Sequence, residues 1–307
     1  MATIAQDLKV LLDSLTEEDK IAMVCSGGGS KGSWQIGACK QIHDYLPYPP
    51  KFYLGTSTGA NNAIGMAYNG VDKTLQDWRD IKGRSDIFKQ ANFWDWAQNI
   101  LFDKELDGLN DWGPLYLKLI DTLTGKQLLP DTEAIITKVD LNGGSLKYAY
   151  ASKMRDINEV ALAVCASSAV PGHTKPVDYR WIDGGVREQT PLKKAIDSGC
   201  NVIFVVLANP YTQDPSGGFD MMRLPKRLRL FKIILRSLSI VSHEIMINDL
   251  FKCRKKNGEK GFKKIRLVTY APLMPLHDSD NFDPKVLNAA IEMGLQSEPI
   301  LIDLAGL

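Results

Sequence analysis

Short, wholly apolar segments alternate along this chain with longer stretches whose apolar residues recur at helical spacing. Buried parallel strands read as uninterrupted apolar runs because helices cover both faces of their sheet. The pattern therefore predicts an α/β fold with a mainly parallel central sheet and helices on both faces. The predicted strands span residues 21–25, 52–54, 146–151, 179–182, 202–207 and 265–268, and the predicted helices span 33–46, 60–68, 157–165, 191–198, 224–251 and 285–296.

Length and composition favour one folded domain. The chain has 307 residues, of which 44% are hydrophobic, and it shows no repeat or low-complexity tract. We expect a single domain over 1–307, with an N-terminal helix (1–20), a core that carries the sequence motifs (21–210) and a C-terminal part that completes the fold (211–307). The five scattered cysteines show no paired spacing, which indicates a reducing compartment, the cytoplasm, and no zinc site. We expect neither a metal nor a cofactor.

Membrane contact is expected to be peripheral. The first 20 residues mix acidic with apolar residues, unlike a secretion signal, and the longest apolar stretch falls far short of the roughly 20 residues that span a bilayer. The net charge is only +1, yet residues 223–266 hold 14 Lys and Arg against three acidic residues. A basic amphipathic helix over 223–239 suits either packing on the sheet or contact with anionic lipid. We expect no nucleic-acid partner.

The strongest local motif is GTSTG at residues 55–59, between a predicted strand and a predicted helix. A serine at the centre of such a sharp turn projects its hydroxyl above the sheet, and the flanking glycines remove side chains that would clash there. The following helix directs its positive end toward the serine. The setting favours Ser57 as a nucleophile over a plain glycine-rich turn.

A second glycine turn, GGGSKG at residues 27–32, follows the first predicted strand and precedes a helix. Its backbone amides can converge on one negative charge, either a phosphate or the oxyanion of a tetrahedral intermediate. Gly27, Gly29 and Gly32 also satisfy the GxGxxG spacing of dinucleotide sites, but that site requires an acidic residue at the end of the second strand, where Leu54 runs into Gly55. We favour the oxyanion interpretation, with nucleotide binding and a structural turn as alternatives.

The third segment is WIDGG at residues 181–185, an acidic residue at the end of a short apolar strand. Taken alone, Asp183 is as readily explained as the cap of a turn. In a nonpolar wall beside a cleft, the same carboxylate would have a raised pKa and could act as a base.

Together, the three segments resemble the patatin-like phospholipase family, in which a GGGxKG or GGGxRG turn, a GxSxG turn and a DGG or DGA segment follow in this order. The segment CASSAVPG at residues 165–172 resembles another part of the family pattern. The likeness covers residues 21–210. It implies a three-layer patatin-like fold and a hydrolase that cleaves fatty-acyl esters of lipids. The site residues that it implies are the catalytic pair Ser57 and Asp183, the oxyanion-hole residues Gly27, Gly28 and Gly29, and the supporting residues Lys31, Gly32, Gly55, Gly59, Gly184 and Gly185.

The resemblance implies a dyad, with Asp183 taking the proton of Ser57 directly. The competing arrangement, a Ser-His-Asp triad, requires a histidine late in the chain. Of the four histidines, His277 is the best candidate by position, although a surface loop explains it equally well. His173 lies close enough to the CASSAVPG segment to line a pocket, and Lys31 could hold its turn, meet a lipid phosphate or simply be solvated.

Aromatic residues are concentrated in residues 85–129, and the set comprises Phe88, Phe93, Trp94, Trp96, Phe102, Trp112 and Tyr116. Large aromatics at irregular spacing usually belong to the core of an additional helical layer. A lid or acyl channel beside the active site is the alternative, with Gly108 and the Gly113-Pro114 pair as hinges.

Overall fold

The protein forms one eight-stranded mixed sheet with helices on both faces. The structure is a computed structural model that describes residues 2–90, 108–212, 229–257 and 264–304. The helices in these ranges are α1 (Ala2–Asp13), α2 (Gly32–Tyr45), α3 (Thr58–Arg79), α4 (Gly113–Leu123), α5 (Ile157–Ser167), α6 (Leu192–Asp197), α7 (Arg229–Asn257) and α8 (Pro284–Leu295). The strands are β1 (Ile21–Cys25), β2 (Phe52–Gly55), β3 (Lys89–Gln90), β4 (Asn110–Asp111), β5 (Glu133–Asp140), β6 (Leu146–Tyr150), β7 (Trp181–Asp183), β8 (Val202–Val206), β9 (Arg266–Tyr270) and β10 (Pro299–Asp303).

The strand order confirms the predicted mainly parallel sheet. Strands follow each other across it in the order β10-β9-β8-β1-β2-β5-β6, and β7 also pairs with β5. Five of them, β9, β8, β1, β2 and β5, run parallel, whereas β6, β7 and β10 are antiparallel to their neighbours. The short β3 and β4 form a separate hairpin-like pair.

Alternate residues of the central strands point into two different apolar clusters, which explains the layered architecture. In β1, Ile21, Met23 and Cys25 pack with α2, α3, α5 and α8, whereas Ala22 and Val24 pack with α6 and α7. Because both faces of the sheet are covered, the strand has no solvent face and reads as an unbroken apolar run. The predicted helices on both faces are therefore confirmed.

Helix α3 is longer than predicted. The Asn69-Gly70 pair was expected to end it, but the helical segment continues to Arg79 across a kink at Gly70, whose φ of 79° and ψ of 166° are not helical. Glycine adopts this left-handed φ without steric cost. After the kink, Val71, Leu75 and Trp78 bury themselves in the larger apolar cluster, which accounts for the continuation.

Among the helices and strands named above, five were not predicted, namely α4, β3, β4, β5 and β10. Among the described residues, no helix combines the length and the apolar character needed to cross a bilayer.

Candidate active site

Ser57 lies in a strained turn at the carboxyl end of β2. Its φ of 56° and ψ of −124° are unusual for a residue with a side chain, and such strain costs about 1–3 kcal/mol. The turn is tight because a Cβ at Gly55 would lie 2.0 Å from the Gly59 carbonyl oxygen, and one at Gly59 would lie 2.2 Å from the Cys25 carbonyl oxygen. The Ser57 amide donates to the Oγ of Ser167, 2.9 Å away, which anchors the turn to the end of α5.

The sheet register brings Asp183 next to this turn. Gly55, the last residue of β2, pairs with Ile136 of β5, and Asp183 pairs with Lys138 two residues further along the same strand. Strand β6 pairs with one side of β5 at these positions. Strand β7 therefore pairs with the other side of β5, the side on which β2 ends at Gly55. Two residues of strand correspond to about 7 Å, so Asp183 is placed directly beyond the turn that carries Ser57.

Asp183 is a buried carboxylate that lies close to the Ser57 hydroxyl. Burial raises its pKa from the usual 3.8 to about 6, and the Gly185 amide and the Ser57 hydroxyl, which favour the charged form, partly oppose that rise in pKa. The Gly185 amide lies 2.7 Å from its Oδ1. The structure therefore brings together the two side chains that the sequence analysis paired, with the carboxylate poised to titrate near neutral pH.

The glycine turn at residues 27–32 lies over the same site, but its amides point in different directions. The Gly27 amide donates to the Gln189 carbonyl at 3.2 Å, and the Ser30 amide donates to the Ser279 carbonyl at 2.8 Å. Gly28 and Gly29 instead line the cavity that contains Ser57. Of the three glycines predicted to form an oxyanion hole, Gly27 thus has its amide directed elsewhere, because the segment after Asp183 provides an acceptor for it.

The remaining motif glycines provide room for close contacts. A Cβ at Gly32 would lie 2.1 Å from the Thr58 hydroxyl, and one at Gly184 would lie 2.1 Å from the Thr137 hydroxyl. A Cβ at Gly185 would meet the Gln189 side chain at 2.2 Å. These glycines allow the turn that carries Ser57, the glycine turn and the strand that carries Asp183 to pack against each other.

Ser57 and Asp183 open into a cavity of about 700 Å³. One part of its wall is mainly apolar and comes from α3, α4 and the adjoining loops, with apolar lining residues Ile64, Trp78, Ile81, Ile87, Phe88, Leu115, Leu119, Leu123 and Phe282. The same two helices also contribute Thr74, Asp77, Lys118 and Thr122 to the lining. Another part is polar and comes from the glycine turn, α7 and the loop before α8, with lining residues Lys31, Asn209, Arg236, Ser239, Ser242, Asp278 and Asp280. A ligand with one apolar and one polar end matches this division.

Lys31 is more constrained than a solvated lysine. Its Nζ donates to the Oδ1 of Asn209 at 2.6 Å, and the residue is partly buried in the cavity wall. Burial lowers its pKa, an effect that the nearby Asp278 opposes. The lysine holds the glycine turn against the segment that follows β8.

The histidines do not complete a triad with this pair. His277 lies beside the glycine turn, where burial lowers its pKa and the backbone of Ser30 provides a hydrogen bond. It does not line the cavity, and its Nε2 is buried without a hydrogen-bond partner among the described residues. His173 does line the cavity, as the sequence analysis suggested, and its Nδ1 lies 3.0 Å from the Thr174 hydroxyl.

Parts of two predicted features lie outside the described residues. In the aromatic stretch, these are residues 91–107, whereas Phe88 lines the cavity and α4 forms part of its apolar wall. In the basic region, these are residues 223–228 and 258–263. Within α7, Leu238 and Arg236 line the cavity, and Ile233, Ile240 and Val241 are exposed. Within the described ranges, no group of three or more His, Cys, Asp or Glu side chains is placed to hold a metal ion.

Sequence reasoning missed two contributors to the site. Ser167 was quoted only as part of a family-like segment, yet its hydroxyl accepts the amide of Ser57. Gln189 was not singled out at all, although its carbonyl accepts the Gly27 amide and its side chain packs against Gly27 and Gly185. The family pattern offered a signal for Ser167, whereas a lone glutamine after DGG has none.

Comparisons with known proteins give a family match and individual relatives. The family model described as "Patatin-like phospholipase" matches residues 23–196. Uncharacterized protein YjjU of Escherichia coli K12 is 22% identical over 271 residues, which cover 84% of this chain and 70% of that protein. The crystal structure of VipD from Legionella pneumophila superposes with a TM-score of 0.42 at 13% identity, over 91% of this chain and 66% of VipD. The chain thus spans just under two thirds of the VipD chain.

Proposed function

Because the chain belongs to the patatin-like phospholipase family, we propose that it is a lipid acyl hydrolase in which Ser57 is the nucleophile and Asp183 the base. The observation that carries this proposal is the buried carboxylate of Asp183, close enough to the Ser57 hydroxyl for that hydroxyl to lower its pKa, at the wall of a large cavity that both residues line. The substrates that fit are phospholipids or lysophospholipids, which have an apolar acyl chain and a polar head group.

The chemistry follows from the surroundings of each group. An ordinary aspartate is a weak base for a hydroxyl, but a pKa of about 6 brings Asp183 closer to the working range. Asp183 takes the proton as the Ser57 hydroxyl attacks the ester carbonyl. The amides of Gly28 and Gly29 then hold the oxyanion, a contribution typically worth about 10²–10³ in turnover per donor. The intermediate then collapses: the ester C–O bond breaks, Asp183 returns its proton to the leaving oxygen, and the alcohol departs from the acyl-serine. Water next attacks the acyl carbonyl while Asp183 takes a proton from it. The bond to the Ser57 oxygen then breaks, Asp183 returns the proton to that oxygen, and the fatty acid leaves.

The cavity suggests how the substrate lies. Drug-sized ligands bind in pockets of about 300–1,000 Å³, and the volume of about 700 Å³ falls in this range. The acyl chain would occupy the apolar wall formed by α3 and α4. The head group would then face Lys31 and Arg236 at the polar end.

We also propose peripheral membrane contact through the basic region 223–266. The exposed Ile233, Ile240 and Val241 lie on α7 within this region, and basic residues near an anionic surface contribute about 1 kcal/mol each. Vesicle sedimentation tests this proposal, because binding should rise with the fraction of anionic lipid and fall with salt. Binding that is indifferent to both would contradict it.

Nucleotide binding by the glycine turn is the alternative, and the geometry supports it less well. A phosphate cradle needs several amides directed at one point. The amides of Gly27 and Ser30 donate to protein carbonyls instead, and much of the adjoining cavity wall is apolar.

Two variants and one probe test the hydrolase proposal. A fluorophosphonate should label the wild-type protein at Ser57, whereas Ser57→Ala should remain unlabelled. Both Ser57→Ala and Asp183→Asn should lose hydrolysis of a p-nitrophenyl acyl ester and of lipids in a membrane extract followed by mass spectrometry. Equal hydrolysis by the wild type and by folded Ser57→Ala would refute the proposal.

A further inference from the structure

The segment that follows Asp183, residues 184–190, contacts each of the three motifs of the site. Its first residues hold Asp183 itself, through the Gly185 amide. Further along, the Glu188 carbonyl accepts a hydrogen bond of 3.1 Å from the hydroxyl of Thr56, the residue before the nucleophile. The Gln189 carbonyl accepts the Gly27 amide at 3.2 Å. The position of this segment therefore sets the relative positions of the nucleophile turn, the glycine turn and the base.

The far end of the segment is held by one side chain of α7. Both the Gln189 amide, at 3.2 Å, and the Thr190 amide, at 3.1 Å, donate to the Oδ2 of Asp249. Two adjacent amides that converge on one acceptor oxygen form a fixed attachment with two hydrogen bonds. In the described part of the chain, α7 also packs against α6 and against the 3₁₀ turn Gly184–Val186. Asp249 thus joins α7 to the segment that organises the site.

We infer that Asp249 is a positioning residue for the reaction of Ser57 with acyl esters. It acts through residues 184–190, which it fixes at Gln189 and Thr190, and it lies outside the residues 23–196 that match the family model. The inference rests on the proposed hydrolase function. It gives α7, which also lines the cavity through Arg236, Leu238, Ser239 and Ser242, a direct connection to the catalytic geometry.

The hydrogen-bond geometry shows which property of Asp249 matters. Both amides use the same oxygen, and a carbonyl oxygen has two lone pairs that can accept them. Asparagine offers such an oxygen without a charge. Burial raises the pKa of Asp249 to about 6 despite the two amides, so the charge itself is disfavoured at this position. The pKa of the nearby Glu188 is raised to about 7, mainly by burial. A hydrogen bond from Tyr148 opposes this rise in pKa, and the charge of Asp249 adds to it.

Four variants of the full chain separate positioning from other effects. Asp249→Asn keeps the acceptor, Asp249→Ala removes it, and Asp249→Glu displaces it by one methylene. The matched control is Asn248→Ala, since the Asn248 side chain bonds only within α7, to Glu244, in the described structure. Each variant is assayed for kcat and KM on a p-nitrophenyl acyl ester, and Ser57→Ala defines the activity that depends on the nucleophile.

The positioning role predicts a loss in kcat with little change in KM. A displacement of about 1 Å at a catalytic group can cost about 10²-fold, so Asp249→Ala should lose about 10- to 100-fold in kcat. Asp249→Glu should fall at least about tenfold, whereas Asp249→Asn and Asn248→Ala should stay close to wild type. Wild-type kcat in Asp249→Asn would show that the acceptor oxygen of residue 249, and not its charge, is what the reaction requires. If Asp249→Ala does not fold, the positioning role is tested by comparing kcat of Asp249→Glu, which should fall, with kcat of Asp249→Asn, which should not.

Hydrogen exchange gives a readout that does not depend on activity. The peptide that contains residues 184–190 should exchange about tenfold faster in Asp249→Ala, since a lost hydrogen bond is worth about 1 kcal/mol or slightly more. Exchange in Asp249→Asn should match that of the wild type. Wild-type kcat in both Asp249→Ala and Asp249→Glu, or unchanged exchange in Asp249→Ala, would overturn the inference. If Ser57→Ala retains full activity, the proposed function fails, while the exchange comparison still tests the attachment.

Discussion

Replacing Asp183 with asparagine is expected to abolish activity and, at the same time, to stabilise the folded protein. The ionised carboxylate is buried, and its pKa of about 6 against a usual 3.8 measures how strongly the folded state disfavours its charge. Asparagine resembles the neutral form in size and hydrogen bonding but carries no charge at any pH. The cost of the buried charge should therefore disappear in Asp183→Asn.

The magnitude follows from the pKa difference. A rise from 3.8 to about 6 corresponds to about 3 kcal/mol of unfolding free energy. Because the folded pKa is raised, the wild type loses stability as pH increases from about 4 to about 6, and the deficit is constant above that. At pH 8, Asp183→Asn should be more stable by as much as about 3 kcal/mol, or about 5 °C in Tm for a chain of this length. At pH 4 the difference should fall to about 0.5 kcal/mol, because the folded protein then keeps Asp183 protonated and the unfolded chain ionises it only in part.

Urea unfolding at pH 8 and at pH 4, followed by circular dichroism, measures this difference. Asp19→Asn is the matched control with the opposite sign. Burial tends to raise the pKa of Asp19, but hydrogen bonds from Thr16, Asn201 and Arg266 outweigh it and leave the pKa lowered. Asp19→Asn should therefore destabilise the protein at pH 8. An Asp183→Asn protein that is less stable than wild type at pH 8 would refute the argument that burial of charge dominates at this site.

Three further outcomes are expected. The value of kcat/KM should rise about tenfold per pH unit below pH 6 and level off above it, because Asp183 must be ionised to act as a base; a flat profile from pH 5 to pH 7 would contradict this. Folded His277→Ala should keep most of its activity, and an inactive variant would indicate a triad. Ser167→Ala should lose about 1–3 kcal/mol of unfolding free energy, since the buried Ser57 amide loses its acceptor; unchanged urea unfolding would show that the amide finds another.

The strand–turn–helix at Ser57 could be predicted because its determinants are local. An apolar strand, two glycines and a helical pattern are all adjacent in the sequence, and the observed turn uses both glycines for close backbone contacts. The alternating layers could be predicted for the same reason. Helix α4 was not predicted as a separate element, because it lies in the aromatic-rich stretch 85–129. That stretch was interpreted as a whole, either as the core of an additional helical layer or as a lid.

The strand β5 could not be predicted, although it places Asp183 next to Ser57. Its sequence EAIITKVD has Glu133 and Asp140 at its ends and Lys138 within it, so the apolar run that marked the other strands is shortened here. Tertiary contacts account for two of these charges. Lys138 lies over the ring of Trp181 at 4.0 Å, and Asp140 pairs with Arg180. Because these partners are some 40 residues away along the chain, the local pattern of β5 gives little indication of a central strand.

The candidate site also shows why motif glycines are visible in a sequence while their partners are not. Glycines at 28, 32, 55, 59 and 184 each approach another group so closely that a Cβ would lie 2.0–2.2 Å from it, so the requirement for glycine is absolute and leaves a pattern. The groups that they approach include backbone carbonyls, as at Gly55 and Gly59, which any residue type supplies. The partner of Gly27 is equally invisible in the sequence, because Gln189 accepts the Gly27 amide with its backbone carbonyl, which any residue type would supply. At the far end of these contacts, Asp249 accepts the Gln189 and Thr190 amides with its side chain, so the residue type matters there. A single aspartate on a long helix nevertheless forms no motif that the sequence would reveal.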